Sequence, residues 1–371
     1  MNAKKAMAMG ILFLFALVRP PLSAGSDLET LIKEMVLLPS VTGNEELLAA
    51  KIRNLLPKAL AVEIDNLGSV YAKTGIGEGS LAILAPLDEF GWFVSAITPE
   101  GFLRLDRAAL PPHPLFDSFL LGHSVVISTS SGLQNGVVAQ PAMHLLTRER
   151  REELSRGISL DLVYLDIGAR SESEVRARGI EHLDPVSFKP ELAVLANDQW
   201  AGPSLGQKAL CAALLTAAEK ADSSKSHTPV QFVWMAQTRF LTRGASGRFA
   251  QGAARAQTRL KSGAVLVLDI LPADRSENGP FIGQGAVLWK IGDEQSHLWD
   301  SLEGLSKEAD IKLQHQKGGE SVLMAPFLAQ KIDVISLALP VKFSQTPSEV
   351  ISLKDVRSLS RLIVEALKEA R

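Results

Sequence analysis

Two segments of this 371-residue chain hold side chains that could act as nucleophiles. Gly202-Pro203-Ser204-Leu205-Gly206 fits the Gly-x-Ser-x-Gly pattern, in which a serine on a sharp strand-to-helix turn attacks a carbonyl. That chemistry needs a strand just before the serine, and Ala196 to Ala201 does not have the character of one. Cys211 is the single cysteine, which excludes an intramolecular disulfide and any cysteine-rich zinc site. It lies in the apolar run Ala209 to Leu215, where a thiol packs as a small hydrophobe rather than serving as a catalyst. A net charge of -2 creates no long-range field, so nothing points to nucleic acid or an anionic membrane surface. Arg148 to Arg151 runs on into Glu152 and Glu153 and reads as a solvated helical face.

The elements that must position any site follow from periodicity. Lys4 and Lys5, the apolar stretch Ala6 to Val18, then Pro20, Pro21, Ser23, Ala24 and Gly25 have the order of a secretory signal peptide. The stretch is short of the ~20 residues a membrane span needs, so cleavage near Ala24 or Gly25 is expected in preference to an uncleaved anchor. The mature chain is then exported, and no membrane association is expected after cleavage. Ser26 and Glu29 have the form of a capping box for a helix carrying Leu28, Leu31, Ile32 and Met35. A second helix is expected from about Asn44 to Pro57. Val62 to Asp65 and Ser69 to Lys73 form strands around the turn Asn66-Leu67-Gly68, and Leu81 to Ala85 reads as a strand buried on both faces.

From Trp92 the texture changes to short strand-like pieces punctuated by Gly, Pro and Asn: Trp92 to Ile97, Phe102 to Leu105, Ser124 to Ser128, Gly136 to Ala139, Leu162 to Asp166 and Val186 to Phe188. After Ala196 strand and helix alternate again. Helices are expected over Leu205 to Lys220, Leu298 to Ala309 and Ser352 to Lys368. Strands are expected over Val230 to Met235, Ala264 to Ile270 and Val334 to Leu339. The predicted fold class is α/β, a mixed sheet with helices on both faces, built from residues 26–91 and 196–371. Residues 92–195 form an inserted β-rich domain, and residues 1–25 the signal peptide.

These pieces resemble a known family. Leu38-Pro39-Ser40-Val41-Thr42-Gly43-Asn44-Glu45-Glu46 and Asp65-Asn66-Leu67-Gly68-Ser69-Val70 are similar to the opening segments of the tetrahedral, glutamyl- and deblocking-type aminopeptidases. Pro141-Ala142-Met143-His144-Leu145-Leu146, Tyr164-Leu165-Asp166-Ile167-Gly168-Ala169 and Pro347-Ser348-Glu349-Val350-Ile351-Ser352 also look like segments of that family. The resemblance implies a phosphorylase/hydrolase-like metallo-aminopeptidase fold with a PDZ-like dimerisation insert. It also implies two divalent metals, zinc or cobalt, about 3.5–4 Å apart. Histidine and carboxylate ligands would hold them, and a glutamate would take the proton from the attacking water.

The ligand positions carried over one by one are mostly lost. The family's Ala-His-Met-Asp-Glu reads Ala85-Pro86-Leu87-Asp88-Glu89 here, which puts Pro86 at the first ligand and keeps Asp88 without the histidine it orients. The bridging aspartate falls at Gly206 in Leu205-Gly206-Gln207-Lys208-Ala209. The paired glutamates, one the general base and one a ligand, fall at Thr238 and Arg239, and an arginine repels a cation. Asp269 matches a strand-end ligand and is intact. The last histidine falls at Gln345. The seven histidines, His113, His123, His144, His182, His227, His297 and His315, lie away from all of these segments.

The sequence therefore predicts no catalytic residue, no metal cofactor and, as remnants, Asp88 and Asp269. These two are expected to cap strand ends or to pair with Arg239 or Lys208. The function expected is that of an exported, inactive aminopeptidase-like protein that binds peptides, or that assembles with itself or with an active relative. The alternative is a working hydrolase with a rebuilt metal site.

Overall fold

The computed structural model describes residues 27–139, 142–155, 158–221, 229–244, 247–273 and 279–369. Residues 1–25, expected to form a signal peptide, Ser26 and the segment Asp222 to His227 lie outside them. The first helix, Leu28–Val36, is capped at Asp27 with no side-chain cap, so it does not begin on the expected Ser26 capping box.

Strands β1 (Ala61–Ile64), β2 (Val70–Lys73) and β3 (Leu81–Pro86) open the main sheet. The chain then leaves it for β4 (Trp92–Ile97), β5 (Leu103–Arg107), β6 (Ser124–Thr129), β7 (Gly132–Ala139), β8 (Tyr164–Asp166) and β9 (Pro185–Phe188). These six close into a barrel in the order β4-β5-β8-β7-β6-β9. Strands β10 (Ala193–Val194) and β11 (Gln199–Gly202) follow, and β12 (Val230–Met235) returns to the main sheet. A hairpin of β13 (Leu241–Gly244) and β14 (Gly247–Ala250) precedes β15 (Ala264–Pro272), β16 (Ala286–Lys290), β17 (Leu313–Lys317) and β18 (Asp333–Val341). The last strand, β19 (Glu349–Ser352), pairs with β11.

The main sheet has eight strands in the order β1-β2-β12-β3-β15-β18-β16-β17. Its four central strands, β12, β3, β15 and β18, are mutually parallel. Parallel strands covered on both faces read as continuous apolar runs, and all six residues of β3 are buried. On one face, the helix Leu205–Lys220 lies between the sheet and the helices Leu28–Val36 and Leu353–Glu369. It is buried from Leu205 to Ala218, which explains a run that is apolar all round rather than on one stripe. On the other face Leu84, Val233 and Val267 pack with Ala253 and Phe327 of two further helices. Because the central strands are parallel, their carboxyl ends share one edge, which is where open α/β sheets place their sites.

The barrel has its own core, built on Trp92, Leu103, Val125, Leu165 and Val186. Trp92 stacks on Phe116 at 4.9 Å, and its indole donates to buried Asp117 at 3.0 Å. Arg107 pairs with the other oxygen of Asp117. Replacing Asp117 by leucine strands the indole N–H in a dry core, while the half-exposed Arg107 can turn to water. Asp117→Leu is expected to cost about 1–3 kcal/mol in urea unfolding. A loss below 0.5 kcal/mol would show that this bond does not hold the barrel wall.

Candidate functional site

The carboxyl ends of β3, β12, β15 and β18 bring together every position that the sequence picked out. Pro86 ends β3 opposite Met235 of β12. It is buried, and its carbonyl accepts the Cys211 thiol at 3.2 Å. Burial pushes that thiol up to about 12, so Cys211 stays protonated. Two residues on, fully buried Asp88 accepts the Thr238 hydroxyl at 2.5 Å and the Arg239 backbone N–H at 2.8 Å. Asp88 thus caps the turn that leaves β12. Its partner is the backbone of Arg239, not that residue's guanidinium and not Lys208.

Lys208 is itself buried. Its ammonium donates to Leu38 O at 2.8 Å and Ser40 Oγ at 2.5 Å and stands 3.6 Å from Glu89. Glu89 also accepts the Ser40 N–H at 2.8 Å. This ties the loop before the second helix, Glu46–Leu55, to the end of β3.

Gly206 sits in the first turn of the long helix and donates its N–H to Glu349 Oε2 at 3.0 Å. A Cβ added there would meet Val341 Cγ2 at 2.8 Å and Ile270 Cγ2 at 3.0 Å. The space an aspartate would need is filled. Glu349 takes a second backbone donor, Gln345 N–H at 2.8 Å. Burial raises its pKa, and the Arg239 charge works against that rise. Gln345 has φ +63°, in the left-handed region.

Arg239 does not pair with Asp269 as expected. Its Nη2 donates to Gln207 Oε1 at 3.0 Å, and its guanidinium lies 4.8 Å over the Phe90 ring. Asp269 instead accepts its neighbour's N–H (Ile270, 2.8 Å) and the Ser321 hydroxyl at 3.2 Å. Burial pushes Asp269 up to about 6. The Ile270 N–H opposes that rise, as does the Arg239 charge acting without a contact pair.

Ser204 corrects a second expectation. The segment before it does form a strand, β11, and Ser204 turns into the helix with φ +51°. The strand–turn–helix frame is present, but no histidine, carboxylate or lysine hydrogen-bonds the hydroxyl among the described residues, so the serine has no base.

Glu45 was quoted in a motif but not singled out. It accepts Gly43 N–H at 2.9 Å and Gln237 N–H at 2.8 Å. Burial and the neighbouring Asp88 push it up to about 8. Only its place in a loop facing the site gives it meaning, and spacing does not show that. Gln207 and Glu349 went unremarked for the same reason.

A mixed sheet with an inserted barrel and a site at its carboxyl edge is the fold of the large-assembly aminopeptidases. The TET1 peptidase of Pyrococcus horikoshii superimposes with a TM-score of 0.78 at 21% identity, covering 92% of this chain and 99% of its own. An aminopeptidase of Desulfurococcus kamchatkensis gives 0.77 at 23% identity, covering 92% and 94%. In sequence, the lysyl aminopeptidase of Pyrococcus furiosus is 24% identical over 352 residues, covering 92% of this chain and 97% of that protein. The M42 glutamyl aminopeptidase family model matches residues 68–362, and the chain belongs to that family.

The residues present do not fit the pair of divalent cations that the fold implies. Pro86 and Gly206 offer no side-chain donor, Thr238 is spent on Asp88, and Arg239 brings a fixed positive charge. Among the described residues, no three His, Cys, Asp or Glu side chains stand together so as to hold a metal.

The acidic cluster sets the pH response. A carboxyl whose folded pKa lies above its unfolded value binds protons more tightly when folded. Its contribution is full below the unfolded pKa and is lost as pH rises through the folded one. For Glu45 that window runs from 4.5 to about 8, and for Asp269 from 3.8 to about 6. The melting temperature should therefore fall between pH 4.5 and 8. Glu45→Gln, which keeps an acceptor for both N–H groups, should flatten the curve between pH 6 and 8. An unchanged slope there would assign the response to another group.

Proposed function

We propose that this chain is an exported, catalytically inactive M42 protein that acts through assembly, with itself or with an active relative. The observation that carries the inactive reading is the filled space at Gly206. The residue aligned with the bridging carboxylate has lost its side chain, and Val341 and Ile270 have closed over the place it would occupy. Without a bridging carboxylate two cations a few ångströms apart repel one another, and Arg239 adds a third positive charge. The general-base position is Thr238, a hydroxyl that cannot take a proton near neutral pH.

Support for assembly comes from the relatives. The Pyrococcus horikoshii TET1 peptidase can assemble into a tetrahedron or a large octahedral shell. On this chain's barrel Leu110, Leu115, Val137 and Leu183 are each at least half exposed, a scatter ordinary for a protein surface. Peptide binding is the narrower part of the reading, because the cavity at the site measures only about 20 Å³. Export rests on the order of Lys4, Lys5, the apolar stretch and Ala24.

The purified mature chain should be incubated with zinc or cobalt, then assayed for bound metal and for amino acids released from peptides. The expected result is less than 0.1 metal per chain, no turnover, and a mass by light scattering of a dimer or larger. Stoichiometric metal together with turnover would overturn the inactive reading. A strictly monomeric chain that also fails to join an active relative would overturn the assembly reading.

A further inference from the structure

The small cavity at the site has two donors in its wall and no acceptor for either. It is lined by Phe90, Phe116, Phe188, Gln207, Arg239 and the acid Glu349, among others, and is partly open to solvent. Arg239 Nε and Gln207 Nε2 are buried atoms without a hydrogen-bond partner. Gln207 is 2% exposed, and the two side chains are joined through Nη2 and Oε1, so their free N–H groups belong to one polar unit. A buried N–H left unpaired is costly, and native structures rarely keep one without a water or a ligand.

The guanidinium makes no ion pair among the described residues. The carboxylates around it are held by other donors: Asp88 by Thr238 and the Arg239 N–H, Asp269 by Ile270 and Ser321, Glu349 by Gly206 and Gln345. Glu89 and Lys208 stand near each other further inside. A cation with a free N–H and an amide N–H beside it suits one oxygen of a charged acceptor, because such bonds are about twice as strong as neutral ones.

We propose that this cavity is a carboxylate-binding site. One oxygen of the ligand is received by Arg239 Nε and Gln207 Nε2, and the apolar group next to the carboxylate lies against Phe90, Phe116 and Phe188. The volume agrees, since about 20 Å³ admits little more than one water-sized oxygen and leaves the rest of the ligand at the open side. The site thus reads the opposite charge from a two-cation centre. The carboxylate could belong to a free amino acid or to the C-terminus of a peptide. This inference rests on the metal-free reading of the site.

Calorimetric titration of the full mature chain separates the alternatives. Phenylalanine and the tripeptide Gly-Gly-Phe carry the carboxylate; phenylalaninamide does not. At least one of the acids should bind saturably and at least tenfold more tightly than the amide. Tight binding by the tripeptide identifies a peptide C-terminus, and binding by phenylalanine alone identifies a free amino acid. Gln207→Met keeps the guanidinium and should weaken the acid about tenfold without lowering the melting temperature. Arg239→Lys, which keeps the charge but loses Nε, should weaken it similarly. An amide that binds as well as the acids, two variants without effect, or no binding by either acid would each overturn the carboxylate site. None of those results touches the inactive reading, which fails only on metal-dependent release of amino acids.

Discussion

Five carboxylates, Glu45, Asp88, Glu89, Asp269 and Glu349, converge on the carboxyl edge of one buried parallel sheet, and their negative charge must be answered. In a two-metal enzyme divalent cations would do this. Here the answer comes from fixed protein groups. Backbone N–H donors hold all five: two on Glu45, two on Glu349 and one each on Asp88, Glu89 and Asp269. Lys208 stands 3.6 Å from Glu89 as a direct ion pair, and the Arg239 charge acts on Asp269 and Glu349 at longer range. Burial raises the pKa values of Glu45, Asp269 and Glu349, and Glu45, pushed up to about 8, gives up part of its charge to a proton. The left-handed backbone at Gln237 and Gln345 sets each N–H against a glutamate, Glu45 and Glu349 respectively.

How much of this was legible in the sequence depends on how local the signal is. The helix Leu205–Lys220 and the strands Trp92–Ile97 and Val230–Met235 have the bounds that periodicity gave, because burial imposes the pattern directly. Strand β17 was not foreseen. Leu313-Gln314-His315-Gln316-Lys317 is a half-exposed sheet edge with no apolar pattern to betray it. Strand β11 was missed because Gln199, Trp200 and Ala201 pair with β19 about 150 positions later, and only tertiary context makes them extended.

The site divides along the same line. The substituted positions could be found because motifs fix their neighbours, but the partners of those positions could not. That Asp88 would take the Thr238 hydroxyl and the Arg239 N–H follows from the parallel register of β3 and β12, which sets Pro86 against Met235. That Arg239 would turn to Gln207 and the Phe90 ring rather than to Asp269 depends on the barrel, whose Phe116 and Phe188 complete the wall on that side. Charge complementarity alone favoured the pair with Asp269. The guanidinium is planar, however, and it stacks on the Phe90 face while Nη2 bonds the Gln207 amide oxygen, an arrangement that leaves Nε unpaired.

The core that holds the fold lies away from the site. The core of the main sheet lies beneath the carboxyl edge, in Leu84, Phe232, Leu266 and Leu337 and in the helix above them. A metal pair at the edge would contribute to binding and chemistry while leaving that core unchanged. Charge and volume constrain the residues at the edge. Gly206 is the clearest case: restoring a side chain there requires Val341 and Ile270 to withdraw, each of them part of a central strand. A carboxylate at Gly206 would press on the Val341 and Ile270 methyls, and Arg239 opposes any cation placed beside it. The edge has settled into a second self-consistent arrangement, in which the groups that neutralise the acids are the same groups that shape the cavity.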